Sequence, residues 1–194
     1  METLYSVFSE AEDGDKILVK FPDLNCFYHF VRWFEDNFGK AFWILWTDAA
    51  VERINHLGRK FGLEEREGVI IGSGKNSRIV KCLDRLDIYS DLSIILKVLP
   101  LNKRYLLSFG VDFLTDYGHP MSRLLDIIVE HEHGVLINAI FKKIPEDLYL
   151  FHDVVVEFKL SEENVIKYKG YVAKIIYPIE TGIAEVSEPM KFNP

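Results

Sequence analysis

The chain has 194 residues, a formal net charge of −7, 48% hydrophobic residues and 27% charged residues. This composition is typical of a soluble globular domain. The acidic balance argues against a broad nucleic-acid surface, because phosphate binding depends on clustered Lys and Arg. The longest apolar runs are shorter than the roughly 18 residues of a membrane helix, and the acidic start of the chain does not resemble a signal peptide. We therefore expect one cytoplasmic domain over residues 1–194, without a membrane partner.

Two further counts concern cofactors and source. The two cysteines, Cys26 and Cys82, form neither a disulfide framework nor a metal-binding motif, and the dispersed carboxylates and histidines match no metal spacing. We predict no metal and no cofactor. The sequence contains no glutamine beside abundant Glu and Lys, a bias of heat-adapted proteins that indicates a thermophilic source.

The first half of the chain alternates apolar strands with amphipathic helices. Residues 1–14 form a short N-terminal helix and its turn, and the parallel core begins after them at Asp15. Runs of apolar residues predict strands covered on both faces, and apolar residues at helical spacing predict the helices between them. The predicted strands are 15–21, 41–47 and 69–71, and the predicted helices end at Gly39, Phe61, Leu86 and Val98.

The second half continues the alternation and then changes character. We predict a strand over 104–111, a helix over 121–132 and a strand over 135–141. Residues 15–144 thus form a parallel α/β core with helices on both faces. From Pro145 the alternating patterns predict antiparallel strands and a tail over 145–194, which extend one edge of the sheet. The predicted fold class is an α/β three-layer sandwich.

The loop after the first strand is where an α/β protein usually binds phosphate. Such loops use glycines, so that backbone amides approach the anion, and a lysine that reaches the terminal phosphates. Here the strand DKILVKF is followed by PDLNCFY, with no glycine, lysine, serine or threonine between Phe21 and Tyr28. A loop of this composition is better suited to filling its own pocket or to meeting a hydrophobic partner.

The order of these motifs resembles the RecA-like ATPase core, most closely its KaiC and RadA branch. The matching stretches are DKILVKF before the phosphate loop, FWILWTD ending in an acid, RYLLSFGVD at the Mg-holding strand, and GVLINAIF followed by LYLFHDVVVEFKL. Within this P-loop superfamily the chain resembles an uncharacterised archaeal family of Thermococcus-like organisms with degenerate nucleotide motifs. The resemblance covers nearly the whole chain and implies a RecA-like three-layer fold.

The resemblance also assigns roles to individual positions. The phosphate loop, a degenerate Walker A, falls on residues 21–28, and either Cys26 or Phe27 takes the place of the catalytic lysine. The resemblance thus implies no ATP binding in the standard way, and we interpret the loop as a contact surface that comprises Phe21, Pro22, Asp23, Asn25, Cys26, Phe27 and Tyr28. Asp112 or Ser108 matches the Mg-holding acid. Asp48 lies near the water-activating position, although we favour a helix N-cap for it.

A second turn, GSGKNS, is rich in glycine and follows a strand. If it opens the predicted helix at residues 78–86, its backbone amides suit an anion, with Gly72, Gly74, Lys75 and Ser77 as the binding residues. The spacing does not match a P-loop, because Gly68 lies six positions before Gly74 instead of five. A structural turn with Ser77 as N-cap is the favoured interpretation, and anion binding is the alternative.

These observations leave three functional hypotheses. The first is a non-catalytic RecA/KaiC-like protein that binds a protein or peptide partner, or pairs with itself or with an active paralogue. The second is a nucleotide-binding ATPase with an atypical site at GSGKNS and Asp112. The third is an accessory nucleic-acid-binding protein similar to RadA, which the net charge of −7 disfavours. We favour the first, since no catalytic constellation is present in the sequence.

Overall fold

A sheet of nine strands forms the middle layer of the protein, with the strand order β4-β3-β2-β5-β6-β1-β7-β8-β9. A computed structural model describes the fold over residues 3–72, 76–87, 90, 92–114, 122–141, 146–160, 171–176 and 188–190. The strands are β1 (Lys16–Lys20), β2 (Phe42–Trp46), β3 (Arg66–Ile71), β4 (Val80–Leu86), β5 (Tyr105–Phe109), β6 (Val135–Ile140), β7 (Val154–Leu160), β8 (Tyr171–Ile176) and β9 (Glu188–Met190).

Six helices connect these strands in the described part of the chain. They are α1 (Leu4–Ser9), α2 (Leu24–Phe38), α3 (Thr47–Phe61), α4 (Leu92–Val98), α5 (Ser122–Glu130) and α6 (Glu146–Leu150), and a short 3-10 turn spans Val111–Phe113. Helix α1 begins with a capping box between Thr3 and Ser6. Helix α3 ends at Gly62, whose φ of 66° is the left-handed conformation that glycine adopts without a Cβ clash. No helix in the described ranges is both long and apolar enough to cross a bilayer.

The pairing of the strands confirms the predicted fold class. Strands β1 to β7 pair in parallel with their neighbours, and β8 and β9 add two antiparallel pairings beyond β7. Strand β1 lies between β6 and β7, and β5 separates β6 from β2. The carboxyl ends of the parallel strands meet at one edge of the sheet, which is where ligand sites of α/β proteins form.

Two hydrophobic clusters cover the faces of the sheet. One contains buried residues of α1, α2 and α3, with Phe8, Phe30 and Ile54 among them. The other contains buried residues of α4, α5 and α6, such as Ile95 and Ile128. An ion pair between Arg66 of β3 and Glu35 of α2, with N···O distances of 2.5 Å, ties the first helix layer to the sheet. The helices therefore lie on both faces of one central sheet.

Several predicted elements differ from the structure. The predicted helix over 78–86 is wrong, because this segment forms strand β4 at the edge of the sheet. Residues 80–86 pair in parallel with β3, with Val80 opposite Arg66, so the segment extends the sheet instead of covering it. The sequence did not predict α6 or β9, and the N-terminal helix is shorter than predicted. The parallel sheet also extends past residue 144: β7, predicted as an antiparallel strand, pairs in parallel with β1 and antiparallel with β8.

Candidate functional site

The loop after β1 leads directly into α2, and the carboxylate of Asp23 lies at the start of this helix. The backbone N–H of Phe21 donates to the carbonyl of Ile140, at 2.9 Å, and so holds the loop against β6. Asp23 is the N-cap, and its Oδ1 accepts the N–H of Cys26 at 2.8 Å. A carboxylate at a helix N-terminus is stabilised by the helix dipole. The place where the first turn would attract an external anion already holds a negative charge.

Four phenylalanine rings occupy the space beside this helix start. We call Phe21, Phe27, Phe109 and Phe141 the phenylalanine cluster. Phe27 is central, with ring centroids 5.2 Å from Phe21, 5.0 Å from Phe109 and 5.9 Å from Phe141. Phe21, Phe27 and Phe109 are fully buried. Contacts of this geometry add favourable aromatic interactions to the burial of apolar area, so the cluster forms part of the core.

The cluster continues into the sheet and the neighbouring helix. Phe158 of β7 stacks on Phe21 at 5.4 Å, and Trp43 of β2 meets Phe27 edge-on at 6.0 Å. Tyr28 stacks on Phe61 of α3 at 4.3 Å. Within the stretch that we interpreted as a contact surface, Pro22 is exposed, whereas Asp23, Asn25 and Tyr28 are half-buried and Phe21, Cys26 and Phe27 are buried. The surface that this loop offers is therefore small and centred on Pro22.

Tyr171, at the start of β8, contacts the N-terminal end of α2. Its hydroxyl lies 3.1 Å from Asp23 Oδ1 and donates to it, while Asn25 Nδ2 donates to the same hydroxyl at 3.2 Å. Burial raises the pKa of Tyr171 to about 12, and the neighbouring Asp23 acts in the same direction. Burial, aided by the charge of Asp23, also raises the pKa of the Cys26 thiol. Both groups stay protonated near neutral pH, and Cys26 is therefore no nucleophile.

Asp112 lies beyond the end of β5, in the 3-10 turn, and is 7% exposed. Its Oδ2 accepts the backbone N–H of Phe141 at 2.8 Å, which links the end of β5 to the end of β6. Ser108, the alternative for the Mg-holding position, lies inside β5, where its hydroxyl accepts Trp46 Nε1 at 2.8 Å. Asp112 is the one of these two residues that stands at the carboxyl edge of the sheet.

The GSGKNS turn does not open a helix, so the helix-start argument for anion binding at this turn is wrong. Gly74 and Lys75 lie outside the described residues. The backbone N–H of Gly72 donates to Leu86 at 2.9 Å, which ends the β3 and β4 pairing. Ser77 caps the start of strand β4 instead: its Oγ accepts the N–H groups of Ile79 and Val80 at 3.1 and 2.9 Å. Gly72 and Ser77 thus contact α3 and β4.

The junction between β2 and α3 corrects the prediction for Asp48. The N-cap of α3 is Trp46, without a side-chain capping bond, and Asp48 lies in the first turn. Thr47 between them has a φ of 70°, the one positive φ among the described non-glycine residues, and is 6% exposed. A Cβ on Gly72 would lie 3.1 Å from Asp48 Oδ1, so the Asp48 side chain packs over the end of β3.

The structure thus brings together one part of the predicted site. Phe141 joins it: its ring contacts Phe21 and Phe27, and its N–H is bound by Asp112. Sequence reasoning missed Phe109, Phe141 and Tyr171. For the two phenylalanines a signal existed, since each stands at the carboxyl end of a predicted strand. Tyr171 carried none, because its contact with Asp23 spans 148 residues of sequence.

The architecture is similar to the fold of a KaiC-like protein of known structure. Two archaeal structures from Pyrococcus horikoshii OT3 share the fold. PH0250 superimposes with a TM-score of 0.66 at 13% identity, over 97% of this chain and 98% of its own. The KaiC-like protein PH0186 superimposes with a TM-score of 0.60 at 13% identity, over 93% of this chain and 87% of its own.

A relative in sequence comes from another archaeon. A protein of Archaeoglobus fulgidus, described as uncharacterized, is 42% identical over 189 residues, which is 97% of each chain. The chain belongs to the same family as this Archaeoglobus fulgidus protein. No protein-family model matches the sequence.

Proposed function

We propose that this protein is a non-catalytic KaiC-like domain that acts by binding a protein partner. The observation that carries this proposal is the phenylalanine cluster at the position where the family resemblance expects a phosphate loop. Phe27 fills the space with a buried apolar ring, so the side chain at this position supplies no positive charge to a phosphate. The Walker A position is degenerate in this reading.

The capping carboxylate supports the same conclusion. An ATP phosphate at the start of α2 would meet Asp23, which holds the N–H of Cys26 and the hydroxyl of Tyr171. The negative charges of the phosphate and of the Asp23 carboxylate would repel each other, and removal of the carboxylate would also remove the N-cap of α2. ATP binding in the standard way therefore requires the displacement of a buried aromatic ring and of a capping residue.

If the domain keeps the fold but lacks the nucleotide site, we expect it to act through contacts of its surface with another molecule. The partner that we propose is another protein, either a second copy of this chain or an active KaiC-like paralogue. The second hypothesis, an ATPase that uses GSGKNS, has lost its main support, since residues 76–80 lead into a strand. Nucleic-acid binding stays disfavoured by the net charge of −7.

The test is a pull-down with the tagged chain from native archaeal lysate, followed by mass spectrometry and by titration with the purified partner. We expect a stable protein partner, or self-association in light scattering. Steady-state ATP hydrolysis that is lost in Asp112→Asn, but kept in a control such as Asp36→Asn on the outer face of α2, would contradict the proposal. Asp112→Asn keeps the oxygen that accepts the Phe141 N–H, so the comparison isolates the charge.

A further inference from the structure

A polar cavity lies on the outer side of α3, away from the phenylalanine cluster. It has a volume of about 250 Å³. Three side chains of α3 and two residues of the link before β4 line it: Glu52, Asn55, Arg59, Asn76 and Arg78. This space suits a small molecule of a few heavy atoms and is smaller than a drug-sized pocket of roughly 300 Å³ or more.

Hydrogen bonds to Asn55 hold the wall of this cavity in place. Asn55 Nδ2 donates to the carbonyl of Asn76 at 3.1 Å, and its Oδ1 accepts the backbone N–H of Arg78 at 2.8 Å. The hydroxyl of Ser77 donates to the same Oδ1 at 3.2 Å. Arg85 Nη2 donates to the side-chain oxygen of Asn76 at 3.1 Å. The link is therefore fixed by polar side chains on both of its sides.

The positive charges among the described lining residues are the guanidinium groups of Arg59 and Arg78. Both side chains are exposed, and within the described ranges neither guanidinium has a hydrogen-bond or ion-pair partner. Glu52 is engaged in an interaction of its own, and the described residues of the lining together carry one net positive charge. On a chain with a net charge of −7, this is a local positive site on an acidic protein.

We propose that this cavity binds a small phosphomonoester. A guanidinium presents several N–H donors in a planar fork that matches the oxygens of a phosphate, and two such groups in one cavity can hold one phosphate between them. Glu52 keeps its own interaction, but an ionised carboxylate has about four lone-pair sites, so it can accept further hydrogen bonds from the hydroxyl groups of the ester. This site is separate from the start of α2 and does not depend on whether the protein binds ATP.

The experiment is an NMR titration of the ¹⁵N-labelled full chain with glycerol 3-phosphate, and in a second arm with inorganic phosphate. We expect saturable shifts at the amides of residues 76–78 and at the side chain of Asn55. Arg59→Gln and Arg78→Gln should each weaken binding about 10-fold or more, the effect of a lost charge-assisted hydrogen bond. The matched control is Arg53→Gln, which removes the same charge from the exposed surface of α3, outside the cavity.

The comparison of the two titrations shows whether the cavity recognises the whole ester or only its phosphate group. Glycerol 3-phosphate should bind more tightly than inorganic phosphate, and Glu52→Gln should remove that difference. Equal binding of the two ligands would overturn the ester assignment. Three results would overturn the site itself: the absence of saturable shifts, shifts centred on the start of α2, or equal weakening by Arg53→Gln. All substituted side chains are exposed, and an unchanged spectrum elsewhere verifies the fold of each variant.

Discussion

The loop after β1 and the link between β3 and β4 each follow a buried parallel strand. Aromatic packing stabilises the first, whereas side-chain hydrogen bonds stabilise the described part of the second. Aromatic rings fill the first, and Asp23 caps the helix that it leads to. Side-chain hydrogen bonds from Asn55 hold the second, which leaves a polar cavity beside two arginines. Position in the fold alone thus does not make a phosphate site. Space and positive charge are needed too, and among the described residues the cavity beside α3 offers both, through Arg59 and Arg78.

The largest expected effect concerns the aromatic loop. Phe27→Ala should lower the free energy of unfolding by about 3–5 kcal/mol, because it removes a fully buried ring that contacts at least three others. Chemical denaturation measures this loss. The control is Tyr5→Ala, whose side chain is 51% exposed and should cost about 1 kcal/mol or less. A loss for Phe27→Ala no larger than the control would mean that the cluster is not part of the core.

The next effect lies on the opposite face of β6, where a polar pair is buried instead of a ring. His152 Nδ1–H donates to the carbonyl of Leu148 at 2.6 Å, and Asn138 Nδ2 donates to His152 Nε2 at 2.8 Å. Burial lowers the pKa of His152 from 6.5 to about 4, so the folded protein keeps this ring neutral. Above pH 6.5 the group contributes no pH dependence. As pH falls from 6.5 to about 4, the unfolded state gains the proton first, and about 3 kcal/mol of stability is lost.

Unfolding free energies at pH 7, 6 and 5 measure that loss. His152→Gln should flatten the curve, since glutamine can accept from Asn138 without titrating. The exposed His133→Gln serves as the control for the loss of a histidine side chain. Burial also lowers the pKa of His131 and His29, so part of the slope should remain in His152→Gln. Equal slopes for the wild type and His152→Gln would show that His152 is not kept neutral by burial.

A smaller effect tests the polar link. Asn55→Ala removes three hydrogen bonds that join α3 to residues 76–78 and should cost about 1–2 kcal/mol. The matched control is Asn37→Ala, which removes one exposed bond, from Asn37 Nδ2 to the carbonyl of Trp33, and should cost less. Thermal unfolding of both variants gives the difference. If the two variants lose the same stability, the link is not held by Asn55.

The smallest effect concerns the cap of α2. Asp23→Ala should cost about 1 kcal/mol, the typical value for a lost N-cap, and Asp23→Ser should restore most of it. The Asp23→Ser variant also removes the negative charge from the helix start. If the phenylalanine cluster blocks nucleotide by itself, Asp23→Ser should still show no ATP binding in a filter assay. Binding gained by this single change would assign the block to charge instead of to packing.

The sequence predicted the parts of this structure that depend on local pattern. Continuous apolar runs identified β1, β2, β5 and β6, and Gly39 and Gly62 follow the helices that the pattern indicated. The pattern failed at β4, because the segment RIVKCLDRL is compatible with either a helix or a strand. Its pairing with β3, in which Val80 lies opposite Arg66, determines that it is a strand. Composition indicated that the loop after β1 would either fill its own pocket or meet a hydrophobic partner. Which rings it would meet depended on contacts to β5 and β6 that no local pattern contains.

We propose that the start of α2 is closed to nucleotide. Titration calorimetry with MgATP should therefore show no heat of specific binding to the wild-type chain at ATP concentrations up to about 1 mM, which corresponds to an affinity weaker than about −4 kcal/mol. Micromolar binding that Asp112→Asn weakens, and that Arg59→Gln on the outer side of α3 leaves intact, would contradict it.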